Sequence, residues 1–155
     1  MVNETWENLK RQGQKAFKAQ DYEECLRCWT SALEEAMKSG PDNLRIATSC
    51  VDLGQLYIHT NRHEEAESLL SRALKIREAQ QGAEHLHVAE CLSLLARTHL
   101  AQGKVEHAED LLKRTLNIRE KALGHDHPKA GESRRALGNY YSLIGRFPEA
   151  EPILR

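Results

Sequence analysis

The sequence predicts an all-α solenoid of antiparallel helix pairs, and three observations predict it. Residues recur at a spacing of 42. Within each recurrence the apolar positions follow the helical steps of three and four. No alternating strand pattern occurs anywhere in the chain. Composition agrees: aromatic residues are only 5%, which is low for a sandwich or barrel, and Ala, Leu, Glu, Arg and Gln are good helix formers.

The recurrence is visible residue by residue. Leu53, Leu95 and Leu137 keep the spacing, as do Tyr57, His99 and Tyr141, and Ala66, Ala108 and Ala150. Whole segments match: EEAESLLSRALKIRE (Glu64–Glu78) aligns with EHAEDLLKRTLNIRE (Glu106–Glu120), and PEAEPILR (Pro148–Arg155) begins another copy. The first copy is one residue shorter, with Cys25 standing 41 before Ala66.

Each copy reads as two helices. First helices are predicted at about 5–18, 46–59, 88–101 and 130–143. Second helices are predicted at about 22–37, 63–80, 105–122 and from 147 onward. In Glu64–Glu78, Ala66, Leu69, Leu70, Ala73, Leu74 and Ile76 form one stripe. Acids open that helix and bases close it, as the helix dipole favours. Asn61, Gly103 and Gly145 mark the turns, where the backbone goes left-handed. Gly40, Gly82 and Gly124 cap the outgoing second helices, and Asp42, Glu84 and Asp126 are placed to cap or favour the next helix. Pro128 fits a first helical turn. The expected organisation is one domain over residues 1–155, with units at about 5–40, 46–82, 88–124 and 130–155.

Charge excludes some function classes. Lys+Arg is 22 against Asp+Glu 23, which gives no electrostatic case for nucleic acid or an anionic membrane. The opening residues hold no apolar stretch of the signal-peptide kind, so a soluble, cytoplasmic location is expected. The four cysteines, Cys25, Cys28, Cys50 and Cys91, read as free buried thiols. Cys25-Leu-Arg-Cys28 lies inside a helix with no strand before it, so packing is favoured over redox chemistry.

The stretch ALGHDHP (Ala122–Pro128) sets His125 and His127 beside Asp126, three possible metal ligands. Aligned to the repeat, it sits opposite GAEHLHVA (Gly82–Ala89) and GPDNLRIA (Gly40–Ala47), so it reads as a turn between helices. His59 and His63 fall either side of a turn and do not share a helical face. No phosphate loop, dinucleotide fingerprint or nucleophile elbow is present. The expectation is a non-enzyme without metal or cofactor.

The repeat positions resemble the tetratricopeptide repeat signature W-x2-L-G-x2-Y followed by A-x3-F. The second unit reads Cys50-x2-Leu53-Gly54-x2-Tyr57 and Ala66-x3-Leu70. The fourth reads Arg134-x2-Leu137-Gly138-x2-Tyr141 and Ala150-x3-Leu154. The repeat length, with ALKIRE and TLNIREKALGHDHP, resembles the subtype found in kinesin light chains. This resemblance implies a right-handed superhelix of about three complete units plus a truncated fourth. It also implies a concave face, lined by the first helices, that grips a peptide or helix of a partner protein.

Aligned to that face, the implied partner-binding residues are Lys10, Gln14 and Phe17, then Val51, Gln55 and Ile58. Ser93 and Arg97 follow in the third unit, and Arg135 and Asn139 in the fourth. Glu7, Thr48, Glu90, Leu100, Glu132 and Ser142 complete the stripes. The function implied is a scaffold or adaptor. Leu9–Glu34 also resembles the first repeat of chaperone-binding members, which clamp a C-terminal carboxylate with Lys and Asn. Lys10 matches, while Gln14 and Gln55 replace asparagines, and Ser93 and Arg97 stand where two bases are expected. A structural or self-assembly module is a third expectation, because the last helix stops at Arg155 and leaves apolar positions partly covered.

Overall fold

One turn is built four times with the same backbone hydrogen bond. The N–H of Asp21, Arg62, Lys104 and Arg146 donates back five residues to the carbonyl of Ala16, Tyr57, His99 and Tyr141, at 2.9, 2.7, 2.8 and 2.8 Å. The residue before each donor is left-handed: Gln20, Asn61, Gly103 and Gly145 have φ of 62°, 62°, 78° and 80°. This bond and a left-handed residue are how a helix closes its last carbonyls. The turn residues expected at Asn61, Gly103 and Gly145 are therefore found. Gln20 adopts the same conformation with no residue-type signal.

The computed structural model describes residues 2–155, with side chains from Thr5 onward. Among them lie eight α-helices and one short 3-10 turn, and no strand. No helix among the described residues is long and apolar enough to cross a membrane. The chain divides into two compact units, residues 1–81 and 82–155.

The first unit holds α1 (Val2–Lys18), α2 (Tyr22–Met37), α3 (Leu44–His59) and α4 (His63–Gln81). Asp21 caps α2 by accepting the N–H of Glu24 at 3.2 Å. Trp29 of α2, 5% exposed, lies over Gly13 of α1. Its indole N–H donates to the Lys10 carbonyl at 3.1 Å. A side chain at Gly13 would put its Cβ 2.1 Å from the indole, so glycine is what lets α1 and α2 meet here. Ala16, Cys25, Leu53 and Leu56 complete this core, with Phe17, Tyr22 and Leu26 at its edge. Full burial of a leucine such as Leu56 stabilises by about 1.5–3 kcal/mol.

The second unit holds α5 (Leu86–Ala101), a 3-10 turn (Val105–His107), α6 (Ala108–Leu123), α7 (Pro128–Leu143) and α8 (Phe147–Leu154). Its core joins Ala96, Ala108, Leu112, Leu137, Tyr140, Tyr141 and Ala150. The small residues Ala66, Ala108 and Ala150 are 0%, 0% and 2% exposed, so each sits where two helices approach closely. The predicted second helix at 105 opens instead as the 3-10 turn. Lys104 supplies no side-chain cap there, and the Val105 carbonyl accepts from the Tyr140 hydroxyl at 3.2 Å.

The caps of the first helices correct the sequence reading by one residue. Asn43, His85 and His127 are the N-caps, not Asp42, Glu84 and Asp126. Asn43 accepts the N–H of Ile46 at 3.1 Å. The Nδ1 of His85 and of His127 accepts the N–H of His87 and Lys129, at 3.0 and 3.1 Å. The physical reason is backbone conformation. The caps have extended ψ of 161°, 146° and 139°, whereas Asp42 is left-handed at φ 58°. These three helices consequently begin two residues earlier than expected, and Pro128 takes the first helical position.

Candidate functional site

In the first unit, α1 and α3 lie side by side. Trp6 of α1 donates its indole N–H to the Ser49 hydroxyl of α3 at 2.9 Å. The Arg45 guanidinium and the Lys10 ammonium approach the same indole ring, at 5.2 and 6.0 Å from its centroid. The amino end of this face is therefore an aromatic plate flanked by two cations. Trp6, Glu7, Lys10, Arg11 and Gln14 line a shallow depression of about 330 Å³ on α1.

Gln14 and Gln55 are exposed, as the sequence reading requires of a binding face. Phe17 is half-buried, stacked on Trp29 with centroids 5.8 Å apart and edge-on to His59 at 5.2 Å. Its ring ties α1 to α2 and α3. Val51 and Ile58 are 3% and 8% exposed, so in this chain they belong to the packed interior and present little surface.

In the second unit, Arg97, Arg135 and Asn139 are exposed and Ser93 is half-buried. Arg119 reaches this layer from α6. It is half-buried and donates to the Ser133 hydroxyl at 2.8 Å, while Ser133 donates to the Lys129 carbonyl at 3.1 Å. Burial pushes its pKa down, opposed by the carboxylates of Glu132 and Glu90. The face thus mixes acids at the amino ends of α5 and α7 with arginines and an amide farther along.

Trp6, Arg45 and Arg119 are functional candidates that the sequence reading passed over. Trp6 carried a signal: it stands where the later copies have Ala47, Ala89 and Gly131. Arg119 carried one too, since Arg77 holds the same place and is 4% exposed.

The thiols are built for packing. Cys25, Cys28, Cys50 and Cys91 are free and buried. Burial, then the neighbouring Cys28, pushes the Cys25 thiol up to about 12, and burial raises Cys28 as well. Both are held as thiols, the unreactive form. Among the described residues, no group of three or more His, Cys, Asp and Glu side chains is arranged to hold a metal ion.

The tetratricopeptide repeat profile matches residues 9–79, 51–121 and 106–155. A search of curated protein sequences finds no significant match. The crystal structure of BtubC (BKLC) from P. vanneervenii is similar, with 19% identity and a TM-score of 0.91 over 99% of this chain and 62% of that one. This chain thus spans 62% of that protein's length. A putative kinesin light chain of Podosopora anserina with nearly identical TPR-like repeats is 23% identical, TM-score 0.82, over 99% of this chain and 71% of that one. The first TPR of Spaghetti (RPAP3), bound to the HSP90 peptide SRMEEVD, is 19% identical, TM-score 0.69, over 92% of this chain and 97% of that one. These likenesses show the fold. The repeated helix pairs, the four equivalent turns and a profile match spanning residues 9 to 155 lead to one conclusion: the chain belongs to the tetratricopeptide repeat family.

Proposed function

We propose that this chain is a protein-interaction scaffold or adaptor, in which exposed faces of the first helices hold a segment of a partner protein. One observation carries the reading. Gln14, Gln55, Arg97 and Asn139 occupy one register position, one per repeat, and all four are exposed and polar. An amide side chain both donates and accepts, which suits the backbone of an extended peptide. Arg97 and the exposed Arg135 add forked donors for a carboxylate. The bound peptide in the RPAP3 structure supports the reading by analogy of fold. No catalytic step is assigned to any residue, and the expected setting is the cytoplasm.

A second reading is a clamp for a C-terminal carboxylate. Lys10, beside Trp6, is the observation that favours it. Peptide display separates the two. The wild type is selected against Gln14→Ala/Gln55→Ala and Arg97→Ala/Asn139→Ala double variants. Enrichment of one motif on the wild type, lost on either variant, supports the binding face. A free C-terminal carboxylate throughout that motif raises the clamp to first place. Equal enrichment on the wild type and both variants, or none on any of them, overturns the reading. In the latter case a structural or self-assembling module becomes the better account.

A further inference from the structure

The two units build the same junction between a second helix and the next first helix, and they fill it differently. In the second unit, Glu109, Tyr140 and Ile144 occupy the places held by Leu26, Leu56 and Thr60 in the first. Tyr140 is 4% exposed, and its hydroxyl reaches the Val105 carbonyl in the 3-10 turn that precedes α6. Ile144 packs against the same cluster. In the first unit the side chain at this place is Leu56, which shares a packed cluster with Cys25, Tyr22 and Leu26 of α2 but has neither the ring nor the hydroxyl of Tyr140. An open cavity of about 180 Å³ is left, with Tyr22, Leu26, Leu56, Tyr57 and Thr60 as its walls and the charged Glu23 and Arg62 also lining it.

We propose that this cavity binds one tyrosine side chain of a partner polypeptide, its ring taking the space that Tyr140 fills in the second unit. Size fits: an apolar cavity of roughly 150 Å³ holds a benzene ring. The walls fit as well. Thr60 turns its hydroxyl back to the Leu56 carbonyl at 3.0 Å and so leaves its methyl for the cavity. The Tyr57 ring is held in place by the Arg62 guanidinium, 4.5 Å from its centroid, and Arg62 is itself paired with Glu65 at 3.3 Å. The hydroxyl also has a counterpart acceptor. In repeat register the Tyr22 carbonyl, first in α2, corresponds to the Val105 carbonyl, although Val105 opens a 3-10 turn and Tyr22 an α-helix, and a carbonyl keeps a second lone pair beyond its helical bond. The occupant is an external side chain because the first unit has no residue of its own at the place of Tyr140 large enough to fill it. This site uses residues other than Gln14 and Gln55, so it can fail or hold independently of the face proposed above.

The test is an NMR titration of the whole chain with N-acetyl-tyrosinamide and, in parallel, N-acetyl-leucinamide. The expected result is saturable shifts at Leu26, Leu56 and Thr60 with the tyrosine probe, and binding about tenfold weaker with the leucine probe. Leu56→Tyr fills the cavity from within and Thr60→Ile narrows it as Ile144 does, so each is expected to abolish the shifts. The second variant keeps the test valid if the first does not fold. Absence of saturable shifts in the wild type overturns the proposal. So does their persistence in a folded Leu56→Tyr or Thr60→Ile protein, or equal binding of the leucine probe.

Discussion

The imidazole of His127 accepts the backbone N–H of Lys129 at its Nδ1, 3.1 Å away, and His85 does the same for His87 at 3.0 Å. These histidines do the work that Asn43 does for α3. A side-chain cap is worth roughly 1 kcal/mol. His127→Ala is therefore expected to lower the unfolding free energy by about 1 kcal/mol, and His127→Asn to retain it. Urea unfolding of the two variants reads the difference. Equal midpoints for His127→Ala and wild type would remove the cap from the account.

Gly13 and Gly54 hold one repeat position but face different neighbours. A Cβ at Gly13 would lie 2.1 Å from the Trp29 ring, while one at Gly54 would lie 2.8 Å from the Leu70 Cγ. The indole is rigid and hydrogen-bonded to Lys10; the leucine can turn. The third repeat already carries Ala96 at this place. Gly13→Ala is expected to cost about 1–3 kcal/mol through overpacking, and Gly54→Ala distinctly less. Thermal melts in parallel decide it, and a reversed order contradicts the packing argument.

Glu109 gathers three partners: the Lys113 ammonium at 2.8 Å, the Tyr141 hydroxyl at 2.9 Å and the Arg146 guanidinium at 3.1 Å. Hydrogen bonds from Lys113 and then Tyr141 hold its carboxyl below the ordinary value of 4.5. A carboxylate lowered on folding contributes fully above that ordinary value, and the contribution is lost as pH falls through the lowered one. Glu109→Gln is expected to be less stable than wild type by about 1 kcal/mol at neutral pH. The gap should close at acid pH below 4.5. Urea midpoints at pH 7 and pH 3 test this, and a gap independent of pH contradicts the linkage.

The buried thiols predict chemical silence. In the folded protein Cys25, Cys28, Cys50 and Cys91 should resist an aromatic disulfide reagent at pH 8, and all should react in denaturant. Rapid reaction of Cys25 or Cys28 without denaturant would contradict their assignment as packing residues.

Periodicity made the helix pairs legible because each turn of helix must return an apolar side chain to the same neighbour. The four turns were legible at Asn61, Gly103 and Gly145, whose residue types favour a left-handed backbone, and illegible at Gln20, which adopts it anyway. The caps fall one position later than the acids, because Asn43, His85 and His127 are the residues whose backbone turns extended, and residue type alone does not say where that step falls; only at Asp42 does a left-handed residue precede it. The candidate face was legible at its exposed amides. It was illegible at Val51 and Ile58, since a helical stripe gives direction but not what packs over it. Arg119 was hidden for a related reason: it belongs to a second helix and reaches the first-helix layer by the length of its side chain.

The central claim is that the exposed register of the first helices is what touches a partner. Its most direct test follows the side-chain amide resonances of Gln14, Gln55 and Asn139 while a display-selected peptide is added. The account predicts saturable shifts of these NH2 signals, with the second-helix residues Arg72, Lys75 and Lys113 unmoved. Saturable binding that shifts the second-helix residues and leaves all three amides in place would contradict it.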